Sequence, residues 1–273
     1  MEPALTLSKE PMTRPSAALL DLRNVRVMRG DNVVLDDFNL VIQAGEHVAI
    51  LGPNGCGKST LVKTISRECY PVVREGSSMT ILGQERWDVF KLRPMLGIVS
   101  NDLMTACTGD MTGFDIVLSG FFSATRIYPN HEIKPEQRKA SEEALAKLQI
   151  SHLAKREVRE MSSGEARRVV IARALVHNPS TLLFDEPSNS LDFTARHSLR
   201  ETMSLLAKAG IGIVMVTHDL ADIVPEVERV VMMSKGRIMA DGKKEEMLQS
   251  ERLSSLFGIP VEVAKKNGHY HLW

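Results

Sequence analysis

The sequence predicts an α/β fold with a mostly parallel core sheet, an N-terminal antiparallel β subdomain and a helical insertion subdomain. Short apolar runs at Val48–Leu51, Thr181–Phe184 and Ile211–Val216 read as strands buried on both faces. Helical stretches alternate with these runs, and that alternation implies parallel pairing. Between about residues 110 and 178 helical periodicity takes over from the strand pattern, which marks an insertion.

Taken in chain order, Leu19 to Met28 and Val33 to Ile42 alternate apolar and polar residues around Gly30-Asp31-Asn32, a hairpin signal. "EHVAILGPNGCGKSTLVKTIS" then passes from the strand Val48–Leu51 through a glycine-rich loop into a helix, a unit of the α/β kind. Inside the insertion Pro135 is placed to open "PEQRKASEEALAKLQI", with Leu145, Leu148 and Ile150 on its apolar face. The strand at Thr181–Phe184, a helix from about Phe193 to Lys208 and the strand at Ile211–Val216 follow. "VERVVMMSKGRIMADG" turns at Lys235-Gly236 and predicts a terminal hairpin, before short helices near Glu245 and Leu253. The organisation expected is a mobile tail at 1–16, punctuated by Pro3, Pro11 and Pro15, and one domain over 17–273. Within that domain 17–109 and 179–242 form the core, 110–178 the helical part and 243–273 a C-terminal extension.

Composition removes several functional classes. Lys and Arg number 34 against 34 Asp and Glu, so no global field draws the chain to nucleic acid or anionic lipid. Its apolar runs fall far short of the roughly 18 residues that span a bilayer, and residues 1–16 lack a signal core, so the chain reads as cytosolic. Cys56, Cys69 and Cys107 show no CxxC pairing and read as free thiols. His269 and His271 in "HYHLW" have His-x-His spacing, but on a tail that reads as frayed they make a weak metal claim.

Chemistry concentrates in a few motifs. Gly52, Pro53, Asn54, Gly55, Cys56, Gly57, Lys58, Ser59 and Thr60 satisfy G-x-x-x-x-G-K-[ST] between a strand and a helix, as phosphate binding requires. The glycines let backbone N–H groups approach phosphate oxygens, and the helix N-terminus adds positive potential. Lys58 would reach the β- and γ-phosphates of a nucleotide, Ser59 would offer its hydroxyl to Mg2+, and Thr60 suits the α-phosphate side. In "TLLFDEPSNSLD" an apolar strand delivers Asp185 to its carboxyl end, where the carboxylate would orient the hydration shell of Mg2+, with Glu186 as the group that polarises an attacking water; alone, such a pair could also cap a helix or solvate a loop. His218 ends another strand in "VMVTHDL", where it would bond the γ-phosphate or the water, or simply cap the next helix. Cys56 at a helix N-terminus would have a lowered thiol pKa and make binding redox-sensitive, or be filler.

These motifs, with Ser190-Leu191-Asp192 and "MSSGE" at Met161–Glu165, resemble in order and spacing the ATP-binding subunit of an ABC transporter, over about Leu19 to Gly242. The resemblance implies a P-loop NTPase of ABC type, working as a homodimer with two ATP molecules sandwiched between subunits. Met161–Glu165 stands for the motif usually written LSGGQ, so Ser162 and Gly164 would close on the γ-phosphate held by the other copy, with Ser163 and Glu165 as departures. Ser162 or Ser163 with Glu165 also reads as a helix capping box. Asp192 would join the loop linking the two sites, flanked by Asn189 and Ser190. Asn101 stands nearest the usual metal-contacting Gln and, one methylene shorter, would need a backbone shift or a bridging water. Arg29 stands where an aromatic ring usually stacks on adenine; its guanidinium would stack there or lie on the surface.

The resemblance further implies integral membrane permease subunits docking at the helical insertion, with Phe121, Phe122 and Tyr128 as candidates for the groove. It places the chain in the cytoplasm, peripheral on the inner face of the cell membrane. "LFGIPVEV" and "NGHYHLW" look like the C-termini of ATPases from importers of iron chelates, cobalamin or molybdate, which adds a substrate-binding protein as an optional partner. A soluble ABC ATPase acting on a ribosome or DNA is the alternative; such proteins carry two ATPase domains or a coiled coil, and here there is one P-loop.

Overall fold

The computed structural model describes residues 18–107 and 109–273, so the tail expected at 1–16 lies outside the described residues. β1 (Ala18–Arg29) and β2 (Asn32–Gln43) form the expected antiparallel hairpin. After β3 (His47–Leu51) and α1 (Lys58–Ile65) comes β4 (Ser78–Ile81), which the sequence reading missed; it pairs with β1 to complete a three-stranded sheet in the order β2-β1-β4. α2 (Val89–Met95), β5 (Gly97–Val99) and α3 (Asn101–Ala106) follow. The insertion carries α4 (Gly113–Ser119), α5 (Pro135–Lys147) and α6 (Ser163–Leu175). The chain then returns through β6 (Thr181–Asp185), α7 (Phe193–Lys208) and β7 (Gly212–Thr217). β8 (Arg229–Ser234), β9 (Arg237–Lys243), α8 (Lys244–Met247) and α9 (Ser250–Phe257) lead to a last hairpin, β10 (Val263–Lys266) and β11 (His269–Leu272).

The core sheet runs β5-β6-β7-β3-β8-β9, parallel throughout except at the β8–β9 edge. Its apolar strands serve two cores. Val48 and Ile50 of β3 pack toward the N-terminal sheet with Phe38 and Leu61, while Ala49 and Leu51 pack toward the helical side with Phe184 and Met215. A strand with a core on each face cannot alternate apolar with polar, which is why β3, β6 and β7 read as unbroken apolar runs. Each fully buried Leu or Phe side chain contributes about 2 kcal/mol, so the sheet is fixed firmly enough to position loops at its carboxyl edge.

In the insertion, Pro135 occupies the first turn of α5, where its missing N–H costs nothing. α4 is opened by a capping box between Thr112 and Asp115. The C-terminal segment departs from expectation. "HYHLW" is not frayed: Asn267 and Gly268 turn with φ of 51° and 81°, β10 and β11 pair, and Tyr270 is buried. Among the described residues no helix is long and apolar enough to cross a membrane.

Candidate functional site

Parallel register brings the candidate residues together. Leu51 of β3 pairs with Thr217 of β7, and Asp185 of β6 pairs with Val216, so the three strands end at one level. Gly52 N–H donates to Thr217 O (3.2 Å) and Glu186 N–H to Val216 O (2.9 Å), carrying that alignment into the loops. The loop from Gly52 to Gly57 needs its glycines. A Cβ on Gly52 would lie 2.2 Å from Met233 O, and Gly57, at φ 109°, would press one against Leu35 and Val34. Thr60, in the first turn of α1, is buried.

Lys58 is folded back into its own loop. Its Nζ donates to Gly52 O (2.9 Å) and Pro53 O (3.1 Å) and lies 3.2 Å from Glu186 Oε1. These carbonyls hold the ammonium inside the Gly52–Gly57 loop. Glu186 also accepts from Asn189 Nδ2 at 2.6 Å. His218 Nδ1 stands 3.2 Å from Glu186 Oε2, close but not aligned as a hydrogen bond. Burial pushes the Glu186 carboxyl up, but the Asn189 bond, Lys58 and His218 outweigh it and hold it below its ordinary range. The residue sits at φ 46°, a left-handed backbone that costs a non-glycine residue about 1 kcal/mol.

Asp185 is a different carboxylate. Burial raises its pKa to about 6 against the hydrogen bond from Ser59 Oγ (3.2 Å). The neighbouring oxygens of Ser59 and Asp185 make a hard donor pair. That pair suits a cation that takes one carboxylate and fills its remaining positions with phosphate and water. Among the described residues no group of three or more His, Cys, Asp or Glu side chains could hold a metal, His269 and His271 included.

Asn101 is not aimed at that pair. It is the first residue of α3 rather than part of an open loop, and its Oδ1 accepts from both Nη atoms of Arg167, each at 3.0 Å. Its Nδ2 donates to Glu186 O at 3.4 Å. The amide oxygen, the atom that the expected metal contact would use, is here bonded to a guanidinium. Sequence reasoning passed over Arg167, which looks like any helical arginine in "GEARR".

Of the two readings of Cys56, the structure favours filler over a redox-active thiol. The thiol is buried, and burial pushes its pKa up despite the nearby Lys58 charge. This is the reverse of an activated thiolate.

The remaining candidates take their contacts elsewhere. Ser162 caps α6: its N–H and hydroxyl both donate to Glu165 Oε2 (2.8 and 2.9 Å), and its Oγ accepts from Glu165 N–H. The cap is therefore Ser162 and not Ser163. A Cβ on Gly164 would lie 2.9 Å from Ala195 Cβ, so α6 enters against α7 at a spacing only glycine allows. Asp192 caps α7 through Ala195 N–H (2.8 Å). Arg29 is exposed at the tip of the β1–β2 hairpin, with Nη1 4.0 Å from Cys69 Sγ. In the insertion Phe122 stacks on His131 (4.2 Å) and Phe121 meets His177 edge-on (4.8 Å). A groove of 340 Å³ separates this part from the core, lined among others by Lys63, Asp102, Leu103, Arg173 and His177.

A phosphate loop and an acidic strand end at the carboxyl edge of a parallel sheet, with a helical insertion and a separate antiparallel sheet, define an ATP-binding cassette. The chain belongs to the ABC transporter family, whose model matches residues 35–189. It is 30% identical over 248 residues to the spermidine/putrescine import ATP-binding protein PotA of Haemophilus influenzae (strain 86-028NP), covering 89% of this chain and 62% of that protein. The chain thus spans about 62% of the length of this curated relative. It is 31% identical to the uncharacterised ABC transporter ATP-binding protein YlmA of Bacillus subtilis (strain 168), over 90% of this chain and 93% of that one. Among solved structures, cbiO1 from Clostridium perfringens, part of the ABC transporter complex cbiONQ, superposes with a TM-score of 0.71 at 28% identity, over 87% and 93% of the two chains. A bacterial ABC transporter cassette solved as a dimer superposes with a TM-score of 0.65 at 26% identity, over 82% and 98%.

Proposed function

We propose that this chain is the ATPase subunit of a transporter, dimerising around two ATP molecules and driving import through separate membrane permease subunits. The observation that carries the reading is a divided site. Lys58 Nζ and His218 Nδ1 each lie 3.2 Å from an oxygen of Glu186, while the exposed Ser162 turn with Gly164 belongs to the insertion. One copy holds both halves, and a second copy would bring its Ser162 and Gly164 over the γ-phosphate held by Lys58. The solved dimer of a similar cassette supports this arrangement.

In the proposed reaction Lys58 exchanges the Gly52 and Pro53 carbonyls for the β- and γ-phosphates. Glu186, ionised and oriented by Asn189, accepts a hydrogen bond from the attacking water and draws off its proton as the terminal phosphoryl group departs. His218 bonds the γ-phosphate or that water, and loss of its company with Glu186 on phosphate entry frees the carboxylate to act. Ser59 and Asp185 are the residues that would hold Mg2+, and such an ion neutralises charge developing on the β- and γ-phosphate oxygens. The backbone of residues 53–57 cradles the phosphates and Thr60 lies on the α-phosphate side, with Arg29 stacking on the base and Asp192 on the loop between the two sites.

The permease would dock in the groove beside Arg173 and His177. Docked in this way, the chain would lie in the cytoplasm, peripheral on the inner membrane face. Import is supported by the relative PotA, named for spermidine/putrescine import. A metal chelate or oxyanion as cargo rests on the resemblance of "LFGIPVEV" and "NGHYHLW" to the C-termini of ATPases from importers of such cargo.

The deciding experiment is Glu186→Gln. The variant should retain ATP binding, hydrolyse at least 10²-fold more slowly, and elute as a dimer in ATP and as a monomer in ADP. Wild-type turnover would remove Glu186 from its role, and a monomer under saturating ATP would remove the sandwich.

A further inference from the structure

Arg167 is a buried cation without an ion pair. It is 4% exposed, and among the described residues no carboxylate lies within salt-bridge distance of it. Burial lowers its affinity for its proton, and only the more distant Asp222 opposes this by charge. Retaining a guanidinium in such a place is costly unless neutral oxygens satisfy it. Here they come from the first residue of α3 and from the loop after β6, and they satisfy the two Nη atoms while Nε has no partner. Both Nη atoms donate to Asn101 Oδ1 (3.0 Å each), and Nη2 also donates to Asn189 O (3.2 Å). Each partner leads to the same residue: Asn101 Nδ2 donates to Glu186 O, and Asn189 Nδ2 donates to Glu186 Oε2. One guanidinium on α6 therefore fixes both the backbone carbonyl and the carboxylate of Glu186, two atoms that set where its Oε2 points.

We propose that Arg167 is a positioning residue for Glu186, acting through Asn101 and Asn189, and that Asn101 is a strut between them rather than a metal ligand. The planar fork matters. It reaches two acceptors in fixed directions, whereas a lysine ammonium is a point donor on a flexible stem. The inference deepens the ATPase reading and rests on it for its kinetic part; the contact itself stands without nucleotide.

The test uses Arg167→Met, Arg167→Lys, Asn101→Ala and the Arg167→Met/Asn101→Ala double variant of the full chain. Misplacing a reacting group by about 1 Å costs on the order of 10²-fold, so kcat should fall by about that factor in Arg167→Met and Asn101→Ala. The Kd for a fluorescent ATP analogue and the half-saturating Mg2+ concentration should stay within about 2-fold, since uniform binding is untouched. The double variant should be no slower than the worse single variant, and Arg167→Lys should recover part of the rate. Without nucleotide, the Tm shifts of the two single variants should be non-additive. A wild-type kcat in Arg167→Met overturns the positioning role, and a Mg2+ requirement raised tenfold in Asn101→Ala overturns the strut. Additive Tm shifts overturn the contact. A wild-type chain that does not hydrolyse ATP refutes the ATPase reading, and the Tm cycle still decides the contact.

Discussion

Lys58→Ala separates what the lysine does for the fold from what it does for a nucleotide. In the structure the ammonium is 3% exposed, donates to Gly52 O and Pro53 O, and faces Glu186. Truncation removes two hydrogen bonds from a charged donor, about 1.5–3 kcal/mol each. It also removes a buried charge whose desolvation costs several kcal/mol. These terms oppose one another, so the net change in stability is about 1 kcal/mol in either direction, a Tm shift of roughly 2–4 °C for a chain of this size. Nothing offsets the loss in the nucleotide complex. Removing one partner of a buried, hydrogen-bonded charge pair costs about 2–5 kcal/mol, which weakens ATP binding by about 30-fold at the least. Titration calorimetry with ATP beside a thermal melt reads both quantities on one sample. A variant with near-native ATP affinity would refute the phosphate-loop assignment, and one that loses affinity only because its Tm has collapsed would refute the cancellation of terms.

Gly164→Ala should destabilise the chain by about 1–3 kcal/mol through the 2.9 Å approach to Ala195; the loss should shrink in an Ala195→Gly background, and an unchanged Tm would show that α6 and α7 can part freely. Cys56, buried with a raised thiol pKa, should alkylate at neutral pH far more slowly than the partly exposed Cys69. Mass spectrometry of iodoacetamide-treated protein checks this, and loss of ATP binding in step with Cys56 labelling would restore the redox reading.

How much of this was legible in the sequence depended on how local the cause was. The two-faced burial of β3, β6 and β7 left apolar runs too plain to mistake, and the phosphate motif is a contiguous stretch whose chemistry follows from its own backbone. The last hairpin was equally local and was missed. Asn267-Gly268 is a strong turn signal, but Lys265, Lys266 and His269 beside it break the apolar alternation that would have marked strands. β4 failed similarly, since four residues with one partly polar face carry little pattern. Glu186 could be found as chemistry but not as geometry: its left-handed φ is imposed by β7 and by Asn189, and no residue type announces it. Arg167 and Asn101 are 66 residues apart in sequence and meet only because α6 folds back over α3.

The Ser162 turn shows how a local reading and a long-range one can act on the same atom. Its capping box was legible from Ser162 and Glu165 alone, and the structure has it, with the Ser162 N–H holding the Glu165 carboxyl below its ordinary range. The same hydroxyl is the one proposed to meet a partner's γ-phosphate, and Glu165 is a carboxylate where the family usually has a neutral Gln. A phosphate arriving beside that carboxylate meets like charge, and the hydroxyl must leave Glu165 Oε2 to donate to it. Arg156, whose Nη1 lies 3.2 Å from Glu165 Oε1, is placed to offset that repulsion. If the turn closes over a nucleotide as proposed, Ser162, Glu165 and Arg156 would act as a unit, with Arg156, nine residues upstream of Glu165, offsetting the charge that the Gln-to-Glu departure adds.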